Sequence, residues 1–183
     1  MRSRRLGSAG RYDLRTIMLH WLIAFLVAYQ FLSAEFWDYF PRPEKHFLIF
    51  SHMSLGFLLA IALVLQIIWR LFWGTIAAEA SPTRFDRVVK LFHLLLFTLL
   101  VCQIPLGFFT RWTDNHPLDV FGLLIPSPLG VCSKATGELV DQIHDINAWI
   151  IMGLAGIHAA AALVHHYVLH DNVLRRMLPG TGK

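Results

Sequence analysis

The sequence predicts an all-α integral membrane protein, a four-helix bundle with both termini in the cytoplasm. Three observations support this prediction: an apolar composition, four long windows without a charged side chain, and an uneven distribution of lysine and arginine. Of the 183 residues, 56% are hydrophobic and only 15% are charged, which is typical of membrane proteins rather than soluble ones. We expect one membrane domain that covers residues 1–183.

Each charge-free window is close to the length that crosses a bilayer. A helix of about 20 apolar residues spans the hydrocarbon core. The windows run over 16–34, 46–69, 91–110 and 146–170, with lengths of 19, 24, 20 and 25 residues. We therefore predict transmembrane helices over approximately 15–34, 46–70, 88–111 and 140–170.

The distribution of lysine and arginine predicts the orientation of these helices, because cytoplasmic loops are enriched in both residues. Twelve fall in the two terminal segments and the second loop, against four in the first and third loops. This asymmetry predicts that both termini lie in the cytoplasm. The net charge of +4 then reflects a surface that faces anionic lipid, so no nucleic acid partner is expected. The twelve are Arg2, Arg4, Arg5, Arg11, Arg15, Arg70, Arg84, Arg87, Lys90, Arg175, Arg176 and Lys183.

The loops and the cysteines contribute little to the prediction. Segment 111–138, with three prolines, is the one long irregular stretch, and we expect it outside the membrane; segment 74–86 is expected to be a plain connection. Cys102 falls in the middle of the third window and Cys132 in the third loop. Their depths differ, so we expect no disulfide, and the absence of a C-x-x-C-H motif excludes covalently attached c-type haem.

Ten histidines are many for a chain of this length, and an ionisable side chain at membrane depth is by default a candidate functional residue. A helix rises about 1.5 Å per residue, so His20 lies about 7.5 Å above the inner level marked by Arg15. If Arg70 marks the same level, His52 lies about 27 Å above it. These two histidines therefore differ in depth by about 20 Å and cannot hold one ligand.

Two histidines of the fourth window show the same separation. His144 and His158 are fourteen residues apart, a rise of about 21 Å. Fourteen residues fall about 40° short of four full turns, so both rings point to one side of the helix. The matched separations pair His52 with His144 near the outside, and His20 with His158 nearer the inside.

Two stacked histidine pairs predict two bis-histidine haems, because haem iron accepts axial imidazoles from facing helices of a bundle. Zinc is the competing metal, but it prefers four protein ligands, and each level offers about two. Histidines that only hydrogen-bond between helices are the other alternative. Gly56, one turn after His52 on the same face, is expected to leave room for a macrocycle.

Two further histidines lie near the inner pair. His93 begins the third window at a depth similar to that of His20, so depth alone does not exclude it as a ligand. His165 lies seven residues after His158 on the same stripe. It is a candidate contact for a haem propionate or a quinone headgroup, and the alternative is an ordinary interfacial histidine.

Four stretches of the sequence resemble a known family. They are LHW at 19–21, HMSLG at 52–56, the histidine at 144, and GIHAAAALVHHYVLHDNVLRRMLP at 156–179. They resemble the bacterial cytochrome b561 family, in particular its small stand-alone members, which include a superoxide oxidase. The resemblance implies a four-helix bundle with two haems b in the inner membrane. It also implies axial ligands at His20, His52, His144 and His158, and none on the third helix, which leaves His93 a supporting role.

Electron transfer follows from the predicted ligation. Iron held by two imidazoles has no open position for a substrate, so electrons enter and leave through the haem edge. No catalytic side chain is then expected. The resemblance implies an oxidoreductase that takes electrons from superoxide and gives them to ubiquinone. The alternative is a cytochrome b subunit that serves a separate redox partner protein, as relatives do in hydrogenase and formate dehydrogenase complexes.

The charge of the outer loops bears on the donor. The first loop sums to −1 and the third loop, through Asp145, to −3, which does not favour approach of an anion. Superoxide would need a local cationic patch above the outer haem. The candidates for that patch are Arg42, Lys45 and Arg111.

Overall fold

The computed structural model describes residues 12–73, 84–130 and 132–179, and it confirms the all-α four-helix architecture. The helices are α1 (Leu14–Phe36), α2 (Arg42–Phe72), α3 (Arg84–Thr113) and α4 (Lys134–Tyr167). Each is long and apolar enough to cross a membrane, and the chain is a multi-pass membrane protein. The cytoplasmic location of the termini stays a prediction. Several of its basic residues lie outside the described ranges: Arg2, Arg4, Arg5, Arg11 and Lys183, together with residues 74–83 of the second loop.

α1 and α4 begin before their charge-free windows, and each begins at a side-chain cap. Asp13 caps α1: its carboxylate accepts a hydrogen bond from the Thr16 amide at 2.9 Å. The Ser133 hydroxyl caps α4 and accepts from the Thr136 amide at 3.2 Å, which satisfies an N–H without a partner inside the helix. α4 therefore begins six residues before the predicted start at 140, and it ends at Tyr167, three residues before 170.

The four helices pack as two helical hairpins. α1 packs along α2 and α3 along α4, whereas contacts between the two hairpins are sparse. A buried apolar cluster joins all four helices near the middle of the bundle. Its members are Ile23, Leu26, Leu59, Ala62, Leu63, Leu100 and Ile151. Many large apolar side chains point outward instead, as expected where lipid is the solvent; examples are Phe25 at 66% and Ile157 at 60% exposure.

Both described ends of the chain lie at the same end of the bundle. The Trp69 indole near the end of α2 donates to the Asp13 carboxylate at 3.0 Å. The Trp21 indole of α1 donates to the carbonyl of Met177, in a 3-10 helix (Leu174–Met177) that follows α4, at 2.6 Å. We name this the inner end and the opposite one the outer end, following the predicted orientation.

A small hairpin lies in the loop that was predicted to be irregular. Strands β1 (Leu118–Val120) and β2 (Leu123–Ile125) pair antiparallel, and β1 packs on α2 and α3. Phe121 and Gly122 form the two-residue turn, with φ of 52° and 86°. Such turns favour asparagine and glycine, so a turn that starts with phenylalanine carries a weak sequence signal. The Phe121 amide donates to the Ser54 hydroxyl at 3.0 Å, which attaches the hairpin to α2.

Candidate functional site

The structure brings His20 of α1 and His158 of α4 together. Their ring centroids are 6.3 Å apart and the ring planes differ by 68°. Imidazole nitrogens bond metals at about 2 Å, which places the centroids of two rings on opposite sides of one metal atom roughly 6 Å apart. The spacing of this inner pair therefore fits two axial ligands of one iron.

His93 of α3 also lies at the inner pair. Its ring is 4.9 Å from that of His158, closer than two imidazoles on opposite sides of one metal. The Nδ1 of His93 lies 2.7 Å from the Val89 carbonyl one turn earlier, and the side chain is exposed. The ring of Phe92, which precedes His93 on α3, stacks on the ring of His158, with centroids 6.5 Å apart and planes 15° apart. The His20–His158 spacing fits a shared metal better than the His93–His158 spacing.

The predicted outer pair consists of His52 on α2 and His144 on α4. The Ser33 hydroxyl donates to the Gln30 carbonyl at 3.1 Å and lies 3.2 Å from His52 Nδ1. A hydroxyl has a single proton, so Ser33 accepts a hydrogen bond from His52. This assigns the proton of His52 to Nδ1 and leaves Nε2 as the unprotonated nitrogen, the form that binds a metal.

His144 is held by a chain of amide side chains. Asn147 donates to Gln103 Oε1 at 2.6 Å, so the amino group of Gln103 is turned toward His144. That amino group lies 3.1 Å from the His144 carbonyl and 3.3 Å from its Nε2. Nδ1 of His144 is buried and has no hydrogen-bond partner among the described residues. Because an amino group only donates, its contact with Nε2 uses the lone pair that an iron would need; iron binding at Nε2 would replace that contact and leave the hydrogen bond to the carbonyl in place.

The ring of His144 lies directly against the backbone of Gly107. A Cβ added at Gly107 on α3 would lie 3.0 Å from Cε1 of His144, so only glycine leaves the ring in its present position. Gly56 does not do this for His52. A Cβ there would meet the Gln30 amide at 3.4 Å, an ordinary contact, and the room that Gly56 is expected to leave for a macrocycle stays a prediction.

The arrangement of the four histidines suits a flat group held between helices better than a bare ion. Each pair takes one histidine from each helical hairpin, and the two hairpins contact each other sparsely. Within residues 12–73, 84–130 and 132–179, no three His, Cys, Asp or Glu side chains converge as ligands for a metal ion. The donor set therefore fits haem, with two imidazoles per iron, and disfavours zinc.

The other predicted contact residues lie at the two ends. At the outer end, Arg42 is exposed at the start of α2, and Lys45 forms an ion pair with the Asp38 carboxylate. Arg111, in the last turn of α3, is half-buried, and its Nε has no hydrogen-bond partner among the described residues.

His165 is engaged at the inner end. Its Nδ1 donates to the Asp171 carboxylate just beyond α4. This hydrogen bond, assisted by one from the Val173 amide, lowers the pKa of Asp171 below its ordinary value. The pairing with Asp171 was not predicted.

Five residues that surround the outer pair were not predicted from the sequence: the polar residues Gln30, Ser33, Gln103 and Asn147, and Gly107. A signal for three of them was present. Gln30, Gln103 and Asn147 carry amides inside charge-free windows, where an uncharged polar group needs a partner on a neighbouring helix. The predicted site residues at membrane depth were drawn from ionisable side chains only.

Comparison with known proteins gives a consistent result. The sequence model of a family described as prokaryotic cytochrome b561 matches residues 11–180. The chain is 28% identical over 175 residues to a protein named probable superoxide oxidase CybB of Yersinia pestis, covering 92% of this chain and 96% of the relative. It is 29% identical over 180 residues to cytochrome b561 homolog 2 of Escherichia coli, covering 92% and 91%. A cytochrome b562 of Cereibacter sphaeroides is 28% identical, with 91% and 94% covered.

Proposed function

Because the chain belongs to the prokaryotic cytochrome b561 family of membrane electron-transfer proteins, we propose that it is a di-haem b cytochrome. It carries single electrons from a donor at the outer face to a quinone in the membrane. The observation that carries this proposal is the pairing of histidines at two levels, with the inner rings 6.3 Å apart. The family implies b-type haem. We propose two haems per chain because there are two histidine pairs.

His20 and His158 would hold the inner haem, and His52 and His144 the outer one. A haem b with two imidazole ligands supplies one-electron transfer and has no open position for a substrate. The side chains set the geometry: Ser33 fixes the tautomer of His52, and Gln103 orients His144. Ile151 lies seven residues from both histidines of α4, about 10 Å along the helix from each, in the apolar cluster between the two levels.

The acceptor that we propose is ubiquinone, which dissolves in the same bilayer. A groove of about 520 Å³ opens at the inner end between α1 and the C-terminal segment. Trp21 lines this groove, and its ring meets the ring of His20 edge-on at 5.6 Å. His165, paired with Asp171, is a candidate contact for the quinone headgroup or a haem propionate. The residues that line the groove are Ile17, Met18, Trp21, Leu178 and Pro179.

The donor that we propose is superoxide, which makes the protein a superoxide:ubiquinone oxidoreductase. The name of the Yersinia pestis relative supports this choice. Two superoxide anions each lose one electron and become dioxygen, and one ubiquinone takes up both electrons and two protons. The acidic outer loops favour the second candidate, a cytochrome b subunit that receives electrons from a separate redox protein, because a cationic partner would dock there.

The proposed location is the bacterial inner membrane, with the outer end facing away from the cytoplasm. The excess of lysine and arginine in the two terminal segments and the second loop of the sequence supports this orientation. With superoxide outside and quinone reduction at the inner end, electrons travel inward through the bundle.

One assay separates the two candidate functions. The purified protein is mixed with a superoxide source and ubiquinone in vesicles, and quinol formation is followed with and without superoxide dismutase. If superoxide is the donor, quinol forms without any other protein and dismutase suppresses it. If no quinol forms although dithionite reduces the haems, the partner-subunit function is favoured.

A further inference from the structure

Two glutamines make the same contact in the two helical hairpins. Gln30 of α1 donates through Nε2 to the carbonyl of His52 on α2 at 3.0 Å. Gln103 of α3 donates through Nε2 to the carbonyl of His144 on α4 at 3.1 Å. Each hydrogen bond crosses from one helix of a hairpin to the other, and each ends on the backbone of an outer-pair histidine.

The amide of Gln103 is locked in the orientation that this contact needs. Asn147 donates to its Oε1 at 2.6 Å and to the Leu99 carbonyl at 3.0 Å. Asn147 is only 8% exposed, in the middle of a membrane helix, where polar side chains are costly and are kept for a purpose. The amino group of Gln103 therefore cannot exchange places with its carbonyl oxygen without losing the bond from Asn147.

Only the amino group of the Gln30 side-chain amide forms a hydrogen bond among the described residues. Its Oε1 is buried and has no hydrogen-bond partner among the described residues. A buried acceptor without a partner costs about 1–3 kcal/mol, a cost that methionine or leucine would not carry. The hydrogen bond to His52 is the contact that only an amide at this position supplies.

We propose that Gln30 and Gln103 are positioning residues that hold His52 and His144 at a fixed height and rotation, one from each hairpin. The proposal rests on the proposed function in one respect, that the outer pair holds a haem b. An interhelical hydrogen bond next to the histidine Cα limits sliding and rotation of the helix, and so limits movement of the ring. The inner pair is flanked instead by the aromatic rings of Trp21 and Phe92, so the effect belongs to the outer level.

The test replaces each amide by a side chain of similar volume. Gln30→Met and Gln103→Met are made in the full chain, and Gln142→Met is the matched control, because Gln142 is exposed on α4 two residues before His144. Haem retention, the low-spin electron paramagnetic resonance signal and the midpoint potential are measured for both haem components. Loss of a hydrogen bond that orients a metal-binding residue typically lowers metal affinity by roughly 10–100-fold.

We expect each methionine variant to release the outer haem at least roughly tenfold more readily, to shift its potential and broaden its low-spin signal. The inner component serves as the internal reference and stays unchanged, as does the Gln142→Met protein. An unchanged outer component in both variants would overturn the proposal. Equal changes in both components would overturn it too, because they indicate general loosening of the bundle.

Asn147→Leu is a second route to the same answer, which does not depend on how well the methionine variants fold. It frees the amide of Gln103 and leaves both glutamines in place. We expect a change in the outer component alone. An outer component that stays unchanged in Asn147→Leu would contradict the proposal. Haem retention and midpoint potential are measured without superoxide or quinone. A protein that reacts with neither would therefore refute the proposed superoxide:ubiquinone activity, while the test of Gln30 and Gln103 would still stand.

Discussion

The histidines of the two pairs have different neighbours, and this difference determines which substitutions each pair tolerates. The outer histidines are held by hydroxyl and amide groups, through Ser33 on the ring of His52 and Gln103 on the carbonyl of His144. The inner rings contact other rings, among them His93 at 4.9 Å from His158. A hydrogen bond to a ring nitrogen fixes both the tautomer and the orientation of the ring, whereas stacked and edge-to-face contacts leave the tautomer free. We therefore expect the outer site to be the more sensitive to small changes in shape.

Gly107 provides a test of this sensitivity. We expect Gly107→Ala to displace the ring of His144, because the new methyl group would lie 3.0 Å from its Cε1. Overpacking of this kind costs about 1–3 kcal/mol, and the loss should appear as weaker haem binding at the outer level alone. Visible spectra during haem titration measure it. Gly153→Ala is the control, since nothing lies within 4 Å of an added Cβ there; equal behaviour of the two variants contradicts this account.

At the scale of the elements, the sequence predicted the helices well and their surroundings poorly. The four helices follow from charge-free windows, because hydrocarbon excludes charge along a whole span. The pairing of His20 with His158 followed from helical rise alone, and the structure brings those rings together. The β-hairpin was missed because its turn starts with Phe121. The amide of Gln103 was visible in its charge-free window, but its partner on α4 is set only when the two helices pack. Helix ends depended on caps such as Ser133, which lie outside the windows.

The turn that follows α4 is held by one carboxylate. Asp171 accepts hydrogen bonds from His165 and from the Val173 amide, and these lower its pKa. A carboxyl group with a lowered pKa stabilises the folded turn above its ordinary pKa, and this stabilisation is lost as the pH falls through the lowered value. We expect His165→Phe to raise the pKa of Asp171 toward its ordinary value, measured by carboxyl carbon magnetic resonance against pH.

His170, the residue before Asp171, offers a matched control. His170 is exposed and has a φ of 52°, a backbone conformation that asparagine tolerates. His170→Asn should leave the titration of Asp171 unchanged. A pKa of Asp171 that does not move in the His165→Phe protein would show that this hydrogen bond is not its cause.

For the whole molecule, the distribution of charge governs which donor reaches the outer pair. The outer loops are acidic, and the ion pair between Lys45 and Asp38 offsets one of the few cations there. Arg42 and Arg111 lie at the ends of different helices, so they reach the outer surface from both hairpins. An anion such as superoxide is steered by such a patch only over short distances, because salt screens charge over about 10 Å at 0.1 M.

Steering by these residues predicts a rate that depends on charge and on salt. We expect Arg42→Gln, Lys45→Gln and Arg111→Gln each to slow haem reduction by superoxide severalfold, and added salt to slow the wild-type protein in the same way. Reduction by a neutral quinol should barely change. Arg175→Gln, at the inner end, is the control. Stopped-flow rates that respond neither to salt nor to the outer substitutions would contradict steering.

The central claim is that two histidine pairs hold two haems at two levels of the bundle. The most direct measurement is the number and spin state of haems per chain in the wild-type protein and in four variants, by pyridine haemochrome assay and low-temperature spectra. The wild type should carry two low-spin haems b. His52→Ala and His144→Ala should lose the same component, and His20→Ala and His158→Ala should lose the other. One haem per wild-type chain, a high-spin spectrum, or loss of one shared component in His20→Ala and His52→Ala would contradict the account.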